Sequence, residues 1–304
     1  MKTKAFLSHG KLLLTGEYVV LDGALSLAIP AKFGQTLSIS PTSNKQKLYW
    51  KSLDELNKVW FEDEFSFENG VLISRNDNNI STRLIQILTE AKKLNPRFSP
   101  LGFNAETKLN FPRNWGLGTS STLINSVAAW ANVDPYKLLE RTFGGSGYDI
   151  ACASSELPLT YQFHGNQRIV TKADFYPNFK DDLYFIYLNK KQNSREGISN
   201  YRNLNPQVKT SVEAISSITK QLLKCQNLVE FESLIYQHEQ IISKLIKQKP
   251  VQELLFEDYT LGQIKSLGAW GGDFILATSK SNPSAYFQGK GYPIVISYSD
   301  MVLP

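Results

Sequence analysis

Three glycine-rich segments punctuate the 304-residue chain, and each adjoins an apolar run, so the backbone must turn sharply at all three. Between them, stretches with strand-like alternation are interspersed with stretches whose apolar positions repeat every three or four residues. This combination predicts an α+β fold. The three segments are residues 112–122 (PRNWGLGTSST), 144–151 (GGSGYDIA) and 266–277 (SLGAWGGDFILA).

The spacing of apolar residues places helices and strands along the chain. The clearest helix begins near Ser81, because Leu84, Ile87 and Leu88 share one face, and Pro96 lies just beyond its end. Further helices are predicted at 120–132, 135–143, 207–224 and 228–248. Strands are predicted within the first forty residues, as hairpins in 43–79, and at 102–112, 181–191, 274–279 and 293–299.

The length and a change of pattern near residue 165 predict two domains. A chain of 304 residues fits about two domains of roughly 150 residues each. The predicted domains are residues 1–168 and 169–304.

Composition and charge exclude several classes of function. Lys and Arg number 33 against 28 Asp and Glu, a surplus of +5 that suits a small anionic ligand but is too scattered for nucleic-acid binding. Two cysteines and three isolated histidines give no disulfide framework and no metal-ligand spacing. No apolar run reaches the roughly 18 residues of a membrane span, and no signal peptide is recognisable. We therefore expect a cytoplasmic protein that binds neither nucleic acid nor membrane.

The segment 112–122 has the chemistry of a phosphate-binding loop. A strand leads into Gly116 and Gly118, and Thr119, Ser120 and Ser121 then open a helix, whose first backbone N–H groups are available to an anion. The hydroxyls suit phosphate oxygens or a phosphate-bound Mg²⁺. The alternative is an ordinary turn in which Ser and Thr cap the helix.

The other two glycine segments also have two interpretations. Asp149 follows three glycines, and a carboxylate in a glycine-lined pocket can act as general base toward a substrate hydroxyl; the alternative is a helix cap. Residues 266–277 form either part of a binding site or a hairpin turn that needs glycine for its positive φ.

Taken in order, these segments resemble the motifs of the GHMP kinase superfamily. Lys11, Gly16, Glu17 and Tyr18 are similar to its first motif, G-K-x-x-x-x-G-E-[HY]. Residues 112–121 are similar to P-x-x-x-G-L-G-S-S, and 268–273 to G-A-G-G-G-D, with Trp270 in place of a glycine. The order and spacing agree across nearly the whole chain.

The resemblance implies a fold, cofactors and site residues. The fold would be a two-domain α+β fold, with an N-terminal α/β domain that has a left-handed crossover and a C-terminal ferredoxin-like domain. The cofactors would be ATP and Mg²⁺, the oligomeric state monomer or homodimer, and Lys11 would lie close to Asp149. The implied catalytic residues are Asp149 and Lys11; the nucleotide-binding residues are Gly116, Leu117, Gly118, Thr119, Ser120 and Ser121; the metal ligands are Ser120 and Glu140; the substrate-binding residues are Glu17, Tyr18, Ser146, Gly147, Ser194, Arg195, Gly271, Gly272 and Asp273.

Within the superfamily the chain looks closest to the mevalonate and phosphomevalonate kinase branch. GSGYDIA resembles a G-S-G-x-D-x-A segment of that branch, and residues 189–197 (NKKQNSREG) resemble its substrate-side segment. The cations around Ser194 favour an anionic acceptor, with phosphomevalonate first and mevalonate second. Trp115, Trp270 and the short segment between Ser121 and Gly145 depart from the family pattern. These departures leave open a ligand-binding protein with reduced catalysis, and a diphosphomevalonate decarboxylase is a further alternative.

Overall fold

The computed structural model describes residues 3–165, 167–204 and 207–303, where the chain forms twelve strands and ten helices. The strands are β1 Lys4–Leu13, β2 Ser26–Pro41, β3 Lys47–Leu53, β4 Val59–Glu68, β5 Val71–Ser74, β6 Phe103–Leu109, β7 Leu159–His164, β8 Gln167–Lys172, β9 Leu183–Tyr187, β10 Ile264–Ser266, β11 Phe274–Thr278 and β12 Val295–Ser297. The helices are α1 Asn79–Leu94, α2 Thr119–Ala131, α3 Pro135–Thr142, α4 Tyr148–Ala153, α5 Ser194–Asn203, α6 Lys209–Leu222, α7 Leu228–Ile246, α8 Val251–Leu255, α9 Ser284–Gly289 and α10 Tyr298–Met301.

The chain divides into two compact units, each assembled from separate stretches. The first unit consists of Met1–Gly10, Phe33–Arg113 and Gly118–Ser154, and the second of Lys11–Lys32, Asn114–Leu117 and Ser155–Pro304. Strands β1 and β2 therefore contribute residues to both units. The division at residue 168 that the sequence pattern suggests stays a prediction.

The first unit is a sheet covered by helices. Its strands lie in the order β5-β4-β3-β6-β2, and only the β3–β6 pair in this run is parallel. Alternate residues of the strands point into one core together with the apolar faces of α1, α2 and α3, as the period of two residues requires. Buried side chains that meet in this core include Leu48, Trp50, Phe65, Ile87 and Ile124.

Helix α1 confirms the sequence prediction for residues 81–94. Leu84, Ile87 and Leu88 are buried on one face of the helix. The helix begins two residues before Ser81, because the side chain of Asn78 accepts hydrogen bonds from Ile80 N and Ser81 N, each at 3.0 Å.

The second unit contains a four-stranded antiparallel sheet in the order β10-β11-β9-β12. In chain order the strands are separated by helices α5 to α8, a direct turn, and helix α9, which is the βαββαβ arrangement of a ferredoxin-like fold. Residues 26–28 of β2 pair with β7, and β7 pairs with β8, both antiparallel. The order of strands and helices in the four-stranded sheet confirms the predicted ferredoxin-like domain.

None of the helices in the described ranges is both long and apolar enough to span a bilayer.

The last predicted strand is shorter than the sequence pattern suggests. Strand β12 ends at Ser297, whose Oγ accepts the N–H of Asp300 at 3.2 Å and so caps a helical turn. A serine followed three residues later by an acidic residue is a helix-start signal, and here it overrides the alternation of PIVISYS.

We predict that Asn78→Ala destabilises the protein by about 1 kcal/mol, because two first-turn N–H groups of α1 lose their acceptor. Chemical denaturation followed by circular dichroism measures the change. Asn200→Ala, an exposed position inside α5, is the matched control and should be neutral or slightly stabilising. Equal stability of the two variants would contradict the role assigned to the Asn78 side chain.

Candidate functional site

In the first unit, the predicted phosphate loop ends at the start of α2, which no side chain caps. Gly118 is the N-cap residue, with a left-handed φ of 98°, a conformation that glycine adopts without strain. The hydroxyl of Ser121 donates to Gly118 O at 2.8 Å and that of Thr122 to Thr119 O at 3.0 Å, so neither accepts a first-turn N–H. Ser120 is exposed. The capping interpretation of these hydroxyls is therefore wrong, and the helix start keeps the character of an anion site.

Asp149 lies in the first turn of α4, a helix that packs against α2 in the same unit. The helix follows Gly147, its N-cap, and Asp149 Oδ1 accepts the N–H of Ile150 at 3.0 Å. A negative charge is stabilised at this end of a helix. Ser146 and Gly147 are buried, whereas Asp149 is half-buried and accessible to a small molecule. The structure thus places the candidate base and the phosphate loop on two packed helices.

Glu140, the acidic residue predicted to bind Mg²⁺, is exposed in the last turn of α3. The segment between Ser121 and Gly145, although short, accommodates both α2 and α3. Among the described residues, no group of three or more His, Cys, Asp and Glu side chains could hold a metal ion. A metal role for Glu140 and Ser120 stays a prediction.

In the second unit, Lys11 holds the other end of the phosphate loop. Its backbone N–H donates to Leu117 O at 2.9 Å, and its ammonium donates to Gly116 O at 3.1 Å. A Cβ atom on Gly116 would lie 2.0 Å from the carboxylate carbon of Asp273, so only glycine fits there. Two of the predicted motifs, the first and the third, therefore meet the loop in this unit.

Asp273 is the centre of that contact. It is buried, and its Oδ1 accepts the N–H of Gln192 at 3.0 Å, while its own N–H donates to Lys190 O at 2.6 Å. Burial raises the pKa of the Asp273 carboxyl, and the positive charge of Lys11, the Gln192 N–H and the charge of Lys191 oppose that rise. The Gly271–Asp273 turn and residues 190–192 of the predicted substrate-side segment are thus joined.

The space around Lys11, Gly116 and Asp273 is small. It measures about 10 Å³, and Trp115, Gly268 and Phe274 also line it. That volume is enough for roughly one water molecule. In this unit the Asp273 carboxylate therefore supports the loop backbone, and its predicted contact with substrate stays a prediction.

Both unusual tryptophans pack inside the second unit. The Trp115 ring contacts the rings of Tyr187 and Phe274, with centroids 6.3 and 5.4 Å away. Trp270 is buried, and its backbone N–H donates to the hydroxyl of Tyr18 at 3.0 Å. The Trp270 side chain, which replaces a glycine of the third motif, thus contributes to the core of this unit.

Ser194 and Arg195, the predicted acceptor contacts, are exposed in the first turn of α5. The Asn193 side chain caps this helix by accepting the Arg195 N–H at 3.2 Å. Gly197 of the same helix is buried against Tyr18, since a Cβ atom there would lie 3.5 Å from the Tyr18 hydroxyl. The second unit therefore brings Tyr18, the third motif and the start of α5 together.

A buried ionic cluster, which the sequence pattern does not predict, surrounds Glu17. Lys265 donates to Glu17 Oε1 at 2.5 Å and to the carbonyl of Ser266 at 2.8 Å, and its ammonium lies 3.7 Å from Glu239 Oε1. Gly16 N donates to His238 Nε2 at 3.0 Å. We define the ionic cluster as Glu17, His238, Glu239 and Lys265, all of which are at most 2% exposed.

Burial determines the protonation of this cluster. It raises the pKa of the Glu17 carboxyl and raises that of Glu239 to about 8, while the charge of Lys265 opposes both shifts. The pKa of His238 falls well below its usual value because of burial and of Lys265. His238 is therefore neutral with its Nε2 accepting from Gly16, and the 3.1 Å approach of Glu17 Oε2 to that nitrogen is not an ion pair.

The only sequence signal for the cluster was Glu17 itself. Lys265 stands in a short strand of sequence IKS, and His238 and Glu239 stand in an amphipathic helix, where charged residues usually face solvent. Glu17 and Tyr18 are both buried, and a direct contact of either with substrate stays a prediction.

The fold, compared with solved structures, is that of small-molecule kinases. It matches the L. major mevalonate kinase in complex with R-mevalonate at a TM-score of 0.67 and 13% identity, covering 100% of this chain and 97% of that one. It matches the Streptococcus pneumoniae phosphomevalonate kinase in complex with phosphomevalonate and AMPPNP at 0.65 and 17%, covering 99% and 98%. It also matches the Lactococcus lactis galactokinase complexed with galactose at 0.69 and 14%, covering 99% and 94%. These matches confirm the predicted fold.

No family profile matches the sequence, and neither does any curated protein. At 13–17% identity the structural likeness establishes the fold alone.

We predict that Lys265→Met lowers the free energy of unfolding by about 3–5 kcal/mol, because it leaves the buried Glu17 without its cation. Urea denaturation measures the change. The matched control is Lys290→Met, which removes an exposed pair with Asp258 and should leave stability nearly unchanged. A Lys265→Met variant as stable as the wild type would show that the pair contributes nothing to folding.

Proposed function

We propose that the protein is a kinase that transfers the γ-phosphate of ATP to a small anionic acceptor. The observation that carries this proposal is the start of α2, where a left-handed glycine N-cap and no side-chain cap leave first-turn N–H groups available to phosphate. The kinase fold and the Lys11–Gly116 contact support it.

ATP and Mg²⁺ fit the residues that are present. ATP would supply the phosphoryl group, and Mg²⁺ would neutralise its charge. The uncapped helix start of residues 118–121 suits phosphate oxygens, and the exposed Ser120 hydroxyl suits a phosphate-bound Mg²⁺. Mg²⁺ commonly takes most of its ligands from phosphates and water, so the lack of a carboxylate cluster in the described ranges is compatible with it.

In this proposal, Asp149 and Lys11 carry the protein's own chemistry. Asp149 accepts the proton of the acceptor hydroxyl, and its place in the first turn of α4 stabilises its negative charge. Lys11 fixes the loop through Gly116 O and contributes positive charge to the transferring group. Phosphoryl transfer depends mainly on alignment and charge, which these contacts supply.

For the acceptor we propose phosphomevalonate, with mevalonate as the alternative. Lys190, Lys191 and Arg195 are exposed on the segment that the Asp273 hydrogen bonds attach to the third motif. An acceptor with both a carboxylate and a phosphate uses several cations, and arginine binds phosphate oxygens in a bidentate manner.

A ligand-binding protein with reduced catalysis is the second candidate function. The exposed position of Glu140, away from any carboxylate cluster in the described ranges, favours it. Measuring ATP consumption with phosphomevalonate, mevalonate, homoserine and galactose separates the two. Turnover with one acceptor supports the kinase, whereas ATP binding without turnover with any of them supports the second candidate.

We predict that Asp149→Asn lowers kcat by about 10²–10⁴-fold with folding and ATP affinity near normal, because the general base is lost. Steady-state kinetics and calorimetry with ATP measure these effects. Asp77→Asn, the same change at an exposed residue of the first unit, is the control. Retention of more than half of the activity would remove Asp149 from the catalytic role.

We predict that Arg195→Ala lowers kcat/KM for phosphomevalonate about tenfold or more, because a charge-assisted phosphate contact is lost. The kcat/KM for mevalonate, which has no phosphate, should change far less. Arg97→Ala, an exposed arginine of the first unit, is the control. A wild-type preference for mevalonate would leave mevalonate kinase as the better assignment. An Arg195→Ala variant with undiminished activity on phosphomevalonate would separate Arg195 from the acceptor.

A further inference from the structure

The hydroxyl of Tyr187 contacts the phosphate loop, although Tyr187 belongs to none of the motifs that the sequence suggests. It donates to the carbonyl oxygen of Asn114 at 3.0 Å, and both residues belong to the second unit. Asn114 stands two residues before Gly116, so the contact is made just ahead of the loop glycines. The proposed phosphoryl transfer assigns no role to this hydroxyl.

The Tyr187 side chain is packed in the core of the second unit. It is 3% exposed, and on β9 it stands directly opposite Phe274 of β11. The centroid of its ring lies 5.4 Å from that of Phe274 and 6.3 Å from that of Trp115. Burial and the charge of Asp273 raise the pKa of Tyr187, so at neutral pH the hydroxyl keeps its proton and can donate. The packed ring thus holds one donor at a defined position.

Three carbonyl groups of the phosphate loop accept hydrogen bonds from donors of the second unit. The Tyr187 hydroxyl binds Asn114 O. Lys11 binds the other two, Gly116 O through its ammonium at 3.1 Å and Leu117 O through its backbone N–H at 2.9 Å. A peptide group is planar, so a hydrogen bond to its carbonyl oxygen also sets the direction of its N–H group. The bonds therefore orient three of the four peptide groups that lead from Asn114 to the N-cap of α2.

We propose that Tyr187 is a positioning residue for the nucleotide phosphates, which acts through the carbonyl of Asn114 and does not touch the nucleotide. This inference rests on the proposed function, in which the start of α2 receives phosphate. Backbone N–H groups bind an anion best when their directions are fixed beforehand, because ordering them on binding costs affinity. Tyr187 would supply part of that order.

Loss of the Tyr187 hydroxyl would give the loop a second conformation. Asn114 is exposed, so its carbonyl could turn to water once the tyrosine donor is gone. Lys11 would still hold Gly116 and Leu117, and the loop would therefore be loosened at one end only. We expect a moderate loss of nucleotide affinity and no loss of the fold.

Tyr259 provides a matched control in the same unit. It is 4% exposed, and its hydroxyl donates to Thr278 O at 2.7 Å, which is a tyrosine–carbonyl bond of the same kind. Thr278 is the last residue of β11 and lies outside the phosphate loop. Tyr187→Phe and Tyr259→Phe each remove one hydroxyl and keep the ring, so the two variants should lose similar stability. Only Tyr187→Phe should lose affinity for ATP.

Isothermal titration calorimetry of the full chain with Mg²⁺ and the non-hydrolysable ATP analogue AMPPNP tests the proposal. We expect Tyr187→Phe to raise the dissociation constant about three- to tenfold, as the loss of one neutral hydrogen bond implies, and Tyr259→Phe to stay within about twofold of the wild type. In steady-state kinetics, the KM for ATP should rise in Tyr187→Phe while the KM for the acceptor is unchanged. Urea denaturation compares the stability of the two variants.

The outcomes separate this proposal from the proposed function. If the wild type binds AMPPNP and Tyr187→Phe binds it within about twofold as tightly, the positioning role is overturned and the kinase proposal stands. Equal weakening in Tyr187→Phe and Tyr259→Phe also overturns the positioning role, because the effect would then follow general destabilisation. A wild-type protein that does not bind AMPPNP contradicts the proposed function, and the positioning role falls with it.

Discussion

The second unit depends on a lysine that has no contact with water. Lys265 lies on β10, and its ammonium is bound by Glu17, which stands 248 residues earlier in the chain. Burying both charges costs several kcal/mol per ion, and only close, well-directed contacts offset that cost. The pair therefore fixes the turn that follows β1 against the start of the third motif, and neither partner can be removed alone without leaving a buried charge.

Further contacts between the first and third motifs lie next to this ion pair in the chain. Directly after Glu17, the Tyr18 hydroxyl accepts the backbone N–H of Trp270, so the two motifs are joined a second time. A few residues further on, Asp273 holds Lys190 and Gln192 by hydrogen bonds and excludes any side chain from Gly116. The position of the loop backbone and that of residues 190–192 are thus both set by the third motif, which the buried pair anchors.

Much of this could be predicted from the sequence, because it rests on local pattern. The period of Leu84, Ile87 and Leu88 predicts α1, and the resemblance to the GHMP kinase motifs implies the ferredoxin-like sheet. The motifs also predict that residues 189–197 and 268–273 belong to one site, which stays a prediction; the structure shows that Asp273 is hydrogen-bonded to Lys190 and Gln192.

The features that could not be predicted are side chains that become buried only in the tertiary structure. Nothing local distinguishes Lys265 from a lysine at the solvent face of a strand, or Glu239 from a surface glutamate of an amphipathic helix. Trp270 is a similar case, because its ring could be expected in the binding site until the structure shows it buried. Burial of a side chain is decided by residues far away in the chain, which a single sequence does not identify.

The protonation of the ionic cluster determines how much net charge is buried in the second unit. An acid whose folded pKa is raised stabilises the fold fully below its unfolded pKa, and that contribution is lost as the pH rises through the folded value, about 8 for Glu239. At neutral pH Glu239 therefore mostly retains its proton, and Glu17 is the partner that binds the Lys265 ammonium. Since the charge of Lys265 is balanced by Glu17, it adds little field outside the core. Under the proposed function, the positive charge that attracts an anionic acceptor therefore comes from Lys11 and from the exposed Lys190, Lys191 and Arg195, and the buried pair contributes by anchoring the third motif.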